Sequence, residues 1–311
     1  MIVYRDVDEV PYRKDSYLTI GTFDGIHLGH KKIIQTLVWS AQQKRCRSVV
    51  VTFYPHPQTV VRTKEVPIAL LTPVDEKIVL LESLGPDVVL ILPFSQELAR
   101  LKPEIFVSEI LVSKIGVQKF IIGYNHAFGQ GRKGSKKLLR ELGSQFDFSV
   151  DVVSPVKVGN EPVSSTRIRH YLLDGNVHRA NLLLGRNYTV EGIVKKGKNI
   201  GQKFGFPTAN IDVIGENKLV PKDGVYAVII YIKGKMFQGM ANIGYKPTVD
   251  GSSWNVEIHI HNFSDDLYNE KLRVEFIDRI RDEKRFDSID ALISQIKKDR
   301  EKSIELLSKN L

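Results

Sequence analysis

The first half of the chain alternates two hydrophobic rhythms. Short apolar runs of the strand type stand at 17–20, 48–53, 87–92, 119–122 and 148–153, the second of them rich in valine. Between them, apolar residues recur at three- and four-residue spacing over 31–43, 73–84, 105–115 and 136–142, the spacing of one helix face. Alternating strands and helices predict right-handed βαβ units and a parallel sheet covered on both faces. A further helix is expected over 176–184, ended by Gly185. Beyond Gly185 the rhythm shifts to period two, with glycine-marked turns between segments at 188–194, 225–232, 236–243, 254–261 and 271–277. That pattern predicts a separate antiparallel β-barrel, and Ile289, Leu292, Ile293 and Ile296 add an amphipathic C-terminal helix packed on it. The expected architecture is therefore α/β: a parallel-sheet domain at 1–184, then a β-barrel domain at 185–311.

Composition narrows this only a little. A length of 311 residues suits two domains, and 42% apolar with 26% charged residues is the balance of a soluble globular protein. The single cysteine, Cys46, excludes an internal disulfide framework and fits a reducing compartment. Arg5, Asp6, Asp8 and Glu9 fall where a secretory signal needs an apolar core, and no apolar run approaches the roughly 20 residues of a membrane span. A cytoplasmic location without membrane contact is expected. The net charge of +9 suits polyphosphate substrates as well as nucleic acid. The chain has neither an aromatic–basic RNA-binding pattern nor zinc-finger spacing, so no nucleic-acid partner is expected.

The chemistry gathers at Gly21-Thr22-Phe23-Asp24-Gly25-Ile26-His27-Leu28-Gly29-His30, between the first strand and the first helix. A glycine-rich turn there leaves backbone N–H groups unpaired at the helix start, where they and the helix dipole attract phosphate. His27 and His30, three apart, can converge on one ligand, either a nucleotide triphosphate or, as half of a site, a metal. Farther on, Ser164, Ser165 and Thr166 suit a helix N-cap. Capping does not account for Arg167 and Arg169 in the first turn, where positive charge opposes the dipole unless an anion is bound. Gly129-Gln130-Gly131-Arg132-Lys133-Gly134 matches a dinucleotide fingerprint, but six residues separate its first glycine from Ile122 at the end of the strand. It is read as a basic loop and not as a nicotinamide site.

In the second half, Gly197, Gly201, Lys203 and Gly205 make a glycine–lysine loop that backbone phosphate contacts could use. It runs into Pro207-Thr208-Ala209-Asn210. Thr208 and Asn210 share one side of an extended chain and offer hard oxygens suited to Mg²⁺, although the start of a hairpin explains the four residues equally. Alternation over 255–261 puts Glu257, His259 and His261 on one strand face, either solvated or, less simply, around a metal. No Walker loop occurs, so phosphoryl transfer would need another scaffold.

The first decad resembles the His-x-Gly-His signature of the nucleotidyltransferase superfamily, in the longer form of bacterial FAD synthetases. Ser165, Thr166 and Arg169 match the superfamily's second signature. Pro55-His56-Pro57 and the Gly123–Asn125 loop resemble two more of its segments. The loop ending Gly205-Phe206-Pro207-Thr208-Ala209-Asn210, together with the stretch around Glu257, is similar to riboflavin kinases, with Asn199 and Gln202 departing from the common Gly and Arg and Asn269 from a common Gly. The resemblance covers nearly the whole chain and points to the bifunctional riboflavin kinase/FMN adenylyltransferase family. It implies a Rossmann-like nucleotidyltransferase domain that joins FMN and ATP to give FAD and pyrophosphate. The implied ATP-binding residues are Gly21, Phe23, Asp24, Gly25, His27, His30, Ser165, Thr166 and Arg169, with Asn125 and His56 near the flavin. It further implies a barrel that makes FMN and ADP from riboflavin and ATP. There Gly197, Gly201, Lys203, Gly205, Pro207, Thr208 and Asn210 bind ATP, Thr208 and Asn210 hold Mg²⁺, and Glu257 is the general base. His27, His30 and Arg169 carry the adenylyl chemistry. The alternative is a single-activity enzyme with a degenerate partner domain.

Overall fold

The computed structural model describes residues 1–61, 68–196, 205–248 and 251–309. These form two compact units, Met1–Ser164 and Ser165–Leu311.

The first unit is a six-stranded parallel sheet. Its strands are β1 (Ile2–Tyr4), β2 (Ser16–Ile20), β3 (Arg47–Tyr54), β4 (Val88–Pro93), β5 (Val117–Gly123) and β6 (Ser149–Val153), in the spatial order β1-β4-β3-β2-β5-β6. The helices are α1 (Leu28–Lys44), the short α2 (Pro57–Val61), α3 (Val74–Glu82), the short α4 (Gln96–Arg100), α5 (Pro103–Ile105) and α6 (Lys136–Phe146). Successive strand residues point to opposite layers. Leu18, Val49, Val51, Leu90 and Phe120 pack on one face with Leu111 and Leu139. Tyr17, Val50, Val89 and Ile121 pack on the other with Ile34 and Leu37 of α1 and Leu81 of α3. This is the doubly covered sheet that the alternating rhythm predicts.

Two elements differ from the expected pattern. Strand β1, at the sheet edge beside β4, is only three residues long and has no readable period. The expected helix at 105–115 is α-helical only over α5 and continues as a π-helix, Phe106–Ile115. Its wider turn lets Ser113 Oγ donate to the carbonyl of Ser108, five residues back, at 2.7 Å. The glycine-rich stretch after β5 is a closed loop, with Phe128 and Gly134 bonded to one another across it. A Cβ on Gly134 would lie 2.7 Å from the Phe128 ring, so that glycine serves close packing.

The second unit opens with a helical pair, α7 (Ser165–Leu173) and α8 (Val177–Leu184). A closed antiparallel barrel follows, built from β9 (Tyr188–Lys195), β10 (Ala209–Val213), β11 (Gly224–Ile232), β12 (Lys235–Thr248), β13 (Gly251–Ile260) and β14 (Lys271–Arg281); β7 and β8 are the two-residue arms of the hairpin at 157–162 in the first unit. Strand β10 has no counterpart among the expected segments. The helical pair is tied to the barrel. Asn181 on α8 donates to Phe276 O at 2.8 Å and accepts from the Tyr188 N–H at 2.7 Å, while the Lys222 N–H bonds Leu172 O at 3.0 Å. Compactness therefore divides the chain at 164/165, before the change of rhythm at 185. The last helix, α9 (Ile289–Ser308), packs Leu307 on Ala227, Ile229 and Ile277, and Asp299 receives Arg281 Nε at 2.9 Å.

Candidate active sites

In the first unit, the loops after β2, β3 and β5 emerge at the same end of the sheet because the strands are parallel. β2 lies between β3 and β5, where the chain order reverses, which is where ligands of such sheets bind. The turn after β2 holds an unusual backbone, with Phe23 at φ 45°, Gly25 at φ 92° and Ile26 at φ 38°. Phe23 and Ile26 are anchored in the core at 3% and 1% exposure. Gly21 N–H is fixed by Val51 O at 3.0 Å.

His27 ends the turn as the N-cap of α1, its Nδ1 accepting from the His30 N–H at 3.2 Å. The two imidazoles stack with centroids 3.6 Å apart, and Phe23 meets His30 edge-on at 5.2 Å. The structure thus brings both histidines to one point. Burial, the His27 ring and the Lys77 charge all push the His30 pKa well below its ordinary value, so His30 is neutral at pH 7. Among the described residues its Nδ1 is buried with no hydrogen-bond partner.

Asp24 is turned away from this point. Its carboxylate is buried and accepts the N–H groups of Leu71 and Thr72 at 3.3 and 2.9 Å, while Thr72 Oγ1 accepts the Gly25 N–H at 2.8 Å. Asp24 therefore clips the segment before α3 to the turn. His56 is also buried. Its Nδ1 accepts the Gln58 N–H at 3.2 Å and its carbonyl accepts from Thr59, so it starts the short helix α2. Asn125 is exposed in the loop after β5.

Lys77 belongs to no sequence motif. It lies on α3, 5% exposed, with Nζ donating to Thr22 O at 2.8 Å and to Thr52 Oγ1 at 3.4 Å. Burial pushes its pKa down to about 8, opposed by Asp24. The signal was available, since Lys77 is three residues after Val74 and four before Leu81, on the helix face that carries the apolar residues.

In the second unit, Ser165, Thr166 and Arg169 stand on the first turns of α7, Thr166 exposed and the other two half-buried. In the barrel, Gly197, Gly201 and Lys203 lie outside the described residues. Gly205 and Pro207 are exposed and Thr208 is half-buried just before β10. Asn210 and Glu257 are directly opposite one another across β10 and β13. Glu257 is 8% exposed on the face that also carries Asn255 and His259, while Val256, Ile258 and Ile260 fill the opposite face. His259 and His261 do not join Glu257 around a metal. His259 Nδ1 is 2.8 Å from Pro207 O, and His261 Nε2 is 2.7 Å from Ser303 Oγ on α9. Among the described residues no group of three or more His, Cys, Asp or Glu side chains could hold a metal ion. No helix among them is long and apolar enough to cross a membrane.

Two family models match the chain, that of FAD synthetase over residues 10–167 and that of riboflavin kinase over 184–307. The bifunctional riboflavin kinase/FMN adenylyltransferase of Bacillus subtilis (strain 168) is 34% identical over 296 residues, covering 94% of this chain and 93% of the relative. Its namesake from Escherichia coli (strain K12) is 36% identical over 283 residues, covering 91% and 90%. A crystal structure named as a macrolide-efflux protein from Streptococcus pneumoniae is similar with a TM-score of 0.86 at 31% identity, covering 96% of this chain and 97% of its own. With both sequence signatures of each half present, and relatives above 30% identity along nearly its full length, the chain belongs to the bifunctional riboflavin kinase/FMN adenylyltransferase family.

Proposed function

We propose that this chain phosphorylates riboflavin to FMN in its barrel and adenylylates FMN to FAD at the histidine turn, with ATP as the donor in both steps. The observation that carries this reading is the presence of one reactive constellation in each unit: the stacked His27–His30 pair beyond β2, and the Asn210–Glu257 pair across β10 and β13.

In the kinase step, the terminal ribityl hydroxyl attacks the γ-phosphorus of ATP, its proton passes to Glu257, and the bond to ADP breaks. Thr208 and Asn210 provide hydroxyl and amide oxygens, a hard donor set that fits Mg²⁺. When bound with ATP, the ion neutralises phosphate charge. Gly205 carries no side chain to hold a phosphate away from its backbone.

In the adenylyl step, an oxygen of the FMN phosphate attacks the α-phosphorus and pyrophosphate leaves. No covalent intermediate on the protein is needed. Neutral His30 and His27 donate hydrogen bonds to the phosphates at the start of α1. Lys77 adds positive charge behind that turn. Ser165, Thr166 and Arg169 offer hydroxyls and a guanidinium suited to phosphate. Asn125 helps to place the flavin. His56 and Asp24 act through the loops they shape. The substrates and products are small molecules handled in the cytoplasm. The functional division follows 1–184 and 185–311.

The test uses two substitutions and two assays. Glu257→Ala is expected to lose FMN formation by about 10²–10⁴-fold, the usual contribution of a general base, while still converting added FMN to FAD. His30→Ala is expected to lose FAD formation by about 10²–10³-fold and to keep making FMN. A folded variant that loses both reactions overturns the division of labour.

A further inference from the structure

The outer face of β13 does more than present Glu257. Asn255, two residues before it, has an amide whose orientation is fixed by chemistry. The Val256 N–H, which can only donate, lies 3.0 Å from Asn255 Oδ1. The oxygen of Asn255 is therefore committed to the backbone, and its NH₂ group faces the other way. There Nδ2 donates to Asn210 Oδ1 and lies 3.4 Å from Glu257 Oε1. Asn210 and Glu257 are cross-strand partners, so Asn255 closes a triangle with both of them.

We propose that Asn255 is a positioning residue of the kinase site, its amide NH₂ aiming the side-chain oxygens of Asn210 and Glu257. The sense of the contact matters. An asparagine side chain can present either oxygen or nitrogen, and only the oxygen serves a cation. An NH₂ donor facing Asn210 selects the oxygen and uses one of its two lone pairs, leaving the second for a ligand. The same nitrogen approaches the carboxylate at its Oε1, so the group that would hold the metal and the group that would take the proton are set by one side chain. On the other flank of Glu257, His259 faces the Pro207 carbonyl. A carbonyl only accepts, so His259 Nδ1 carries the proton, and Phe206 packs on the ring edge at 5.5 Å. With one end of the 206–210 segment held by His259, Asn255 sets the other. Asn255 touches no reacting atom and acts through its two neighbours.

The inference rests on the reading of Asn210 as a metal-binding residue, and a double-mutant cycle separates the two. Full-length parent, Asn255→Ala, Asn210→Ala and the double variant are titrated calorimetrically with ADP, with and without Mg²⁺, and assayed for riboflavin phosphorylation at varied Mg·ATP. Conversion of added FMN to FAD serves as the folding control. Asn255→Ala is expected to weaken the Mg²⁺-dependent part of ADP binding on the order of fivefold, the factor that one ordinary net hydrogen bond represents. Metal-free ADP binding stays at the parental value, and kcat/KM for Mg·ATP falls with the metal-dependent part. In Mg²⁺-dependent ADP binding the double variant is expected to be no worse than Asn210→Ala, because there Asn255 acts through Asn210 and has nothing left to aim. Fully additive losses of that binding, or an unchanged Asn255→Ala chain, overturn the role of Asn255. An unchanged Asn210→Ala chain overturns the metal-binding reading, and the inference with it.

Discussion

Lys77→Met puts the buried charge under the histidine turn to a quantitative test. Methionine fills nearly the same space with an unbranched apolar chain, so packing changes little. Two terms then oppose one another. The substitution removes a charged hydrogen bond to Thr22 O, a 2.8 Å contact, worth about 1.5–3 kcal/mol. It also removes the cost of keeping an ammonium out of water. A fall in pKa from 10.5 to about 8 corresponds to roughly 3 kcal/mol against the charged form at neutral pH. The terms nearly cancel, and the expected stability change at pH 7 lies within about 1.5 kcal/mol of zero. The sign of the pH dependence is independent of that balance. Between about pH 8 and 10.5 the unfolded chain holds a proton on Lys77 that the folded chain has released. The parent therefore gains stability as pH rises through that window, and Lys77→Met lacks the gain. Urea denaturation of both proteins at pH 7, 9 and 10.5 measures this as a midpoint difference that moves in the parent's favour. FAD formation from added FMN is expected to fall on the order of tenfold, as the turn loses charge near the phosphates. A loss of several kcal/mol at pH 7 with no pH trend would show that Lys77 is an ordinary structural amine. An unchanged adenylyl rate would remove its electrostatic contribution.

Other outcomes follow from single contacts. Burial, His259 and Arg300 lower the His261 pKa from 6.5 to about 4. The unfolded chain therefore takes up a proton first as pH falls, and stability contributed by neutral His261 is lost from about pH 6.5 down to about pH 4. Thermal melts across that range should show a shallower acid loss for His261→Gln, and identical slopes would refute the assignment. Gly143→Ala on α6 should destabilise even though alanine is favoured over glycine inside a helix by about 1 kcal/mol. Its Cβ would lie 2.4 Å from the Phe148 carbonyl, where overpacking costs about 1–3 kcal/mol, so a rise in Tm would contradict the packing described.

Local pattern revealed most of the elements and few of the clasps between them. Strand β3 and helix α1 announce themselves because their apolar residues repeat with the period of the structure they form. Strand β10 stayed hidden because Ala209-Asn210-Ile211-Asp212-Val213 offers weak hydrophobic contrast and pairs with segments on β9 and β13 that are distant in sequence. The π-helix was unreadable for the opposite reason. Phe106, Val107, Leu111 and Ile115 are all buried, and a run so apolar does not distinguish turn widths. Asp24 shows the limit most plainly. Its place in a phosphate-binding motif suggested contact with ATP, but its carboxylate is used by Leu71 and Thr72, 47 and 48 residues away. No spacing rule reaches that far. Lys77 and Asn255 are intermediate cases, each visible as a polar residue in an apolar or functional rhythm and intelligible only once its cross-element partner is known.

The turn after β2 also explains why a motif of ten residues needs so much of the unit around it. Positive φ at non-glycine residues such as Phe23 and Ile26 costs on the order of 1–3 kcal/mol each. Burying each side chain returns about 1.5–3 kcal/mol, because Phe23 and Ile26 reach the core layer formed by Tyr17, Ile34, Val50 and Ile91. The conformation is thus held by the sheet and α1, with no contribution required from a nucleotide. Leu71 and Thr72 reinforce it from the segment before α3 by holding Asp24, Lys77 from α3 itself, and Val51 from β3. Each of these supports comes from an element other than the motif. The imidazoles are consequently in place before ATP arrives, and binding energy need not be spent on forming the turn. That arrangement leaves more of the interaction with the triphosphate available for the charge that develops as pyrophosphate departs.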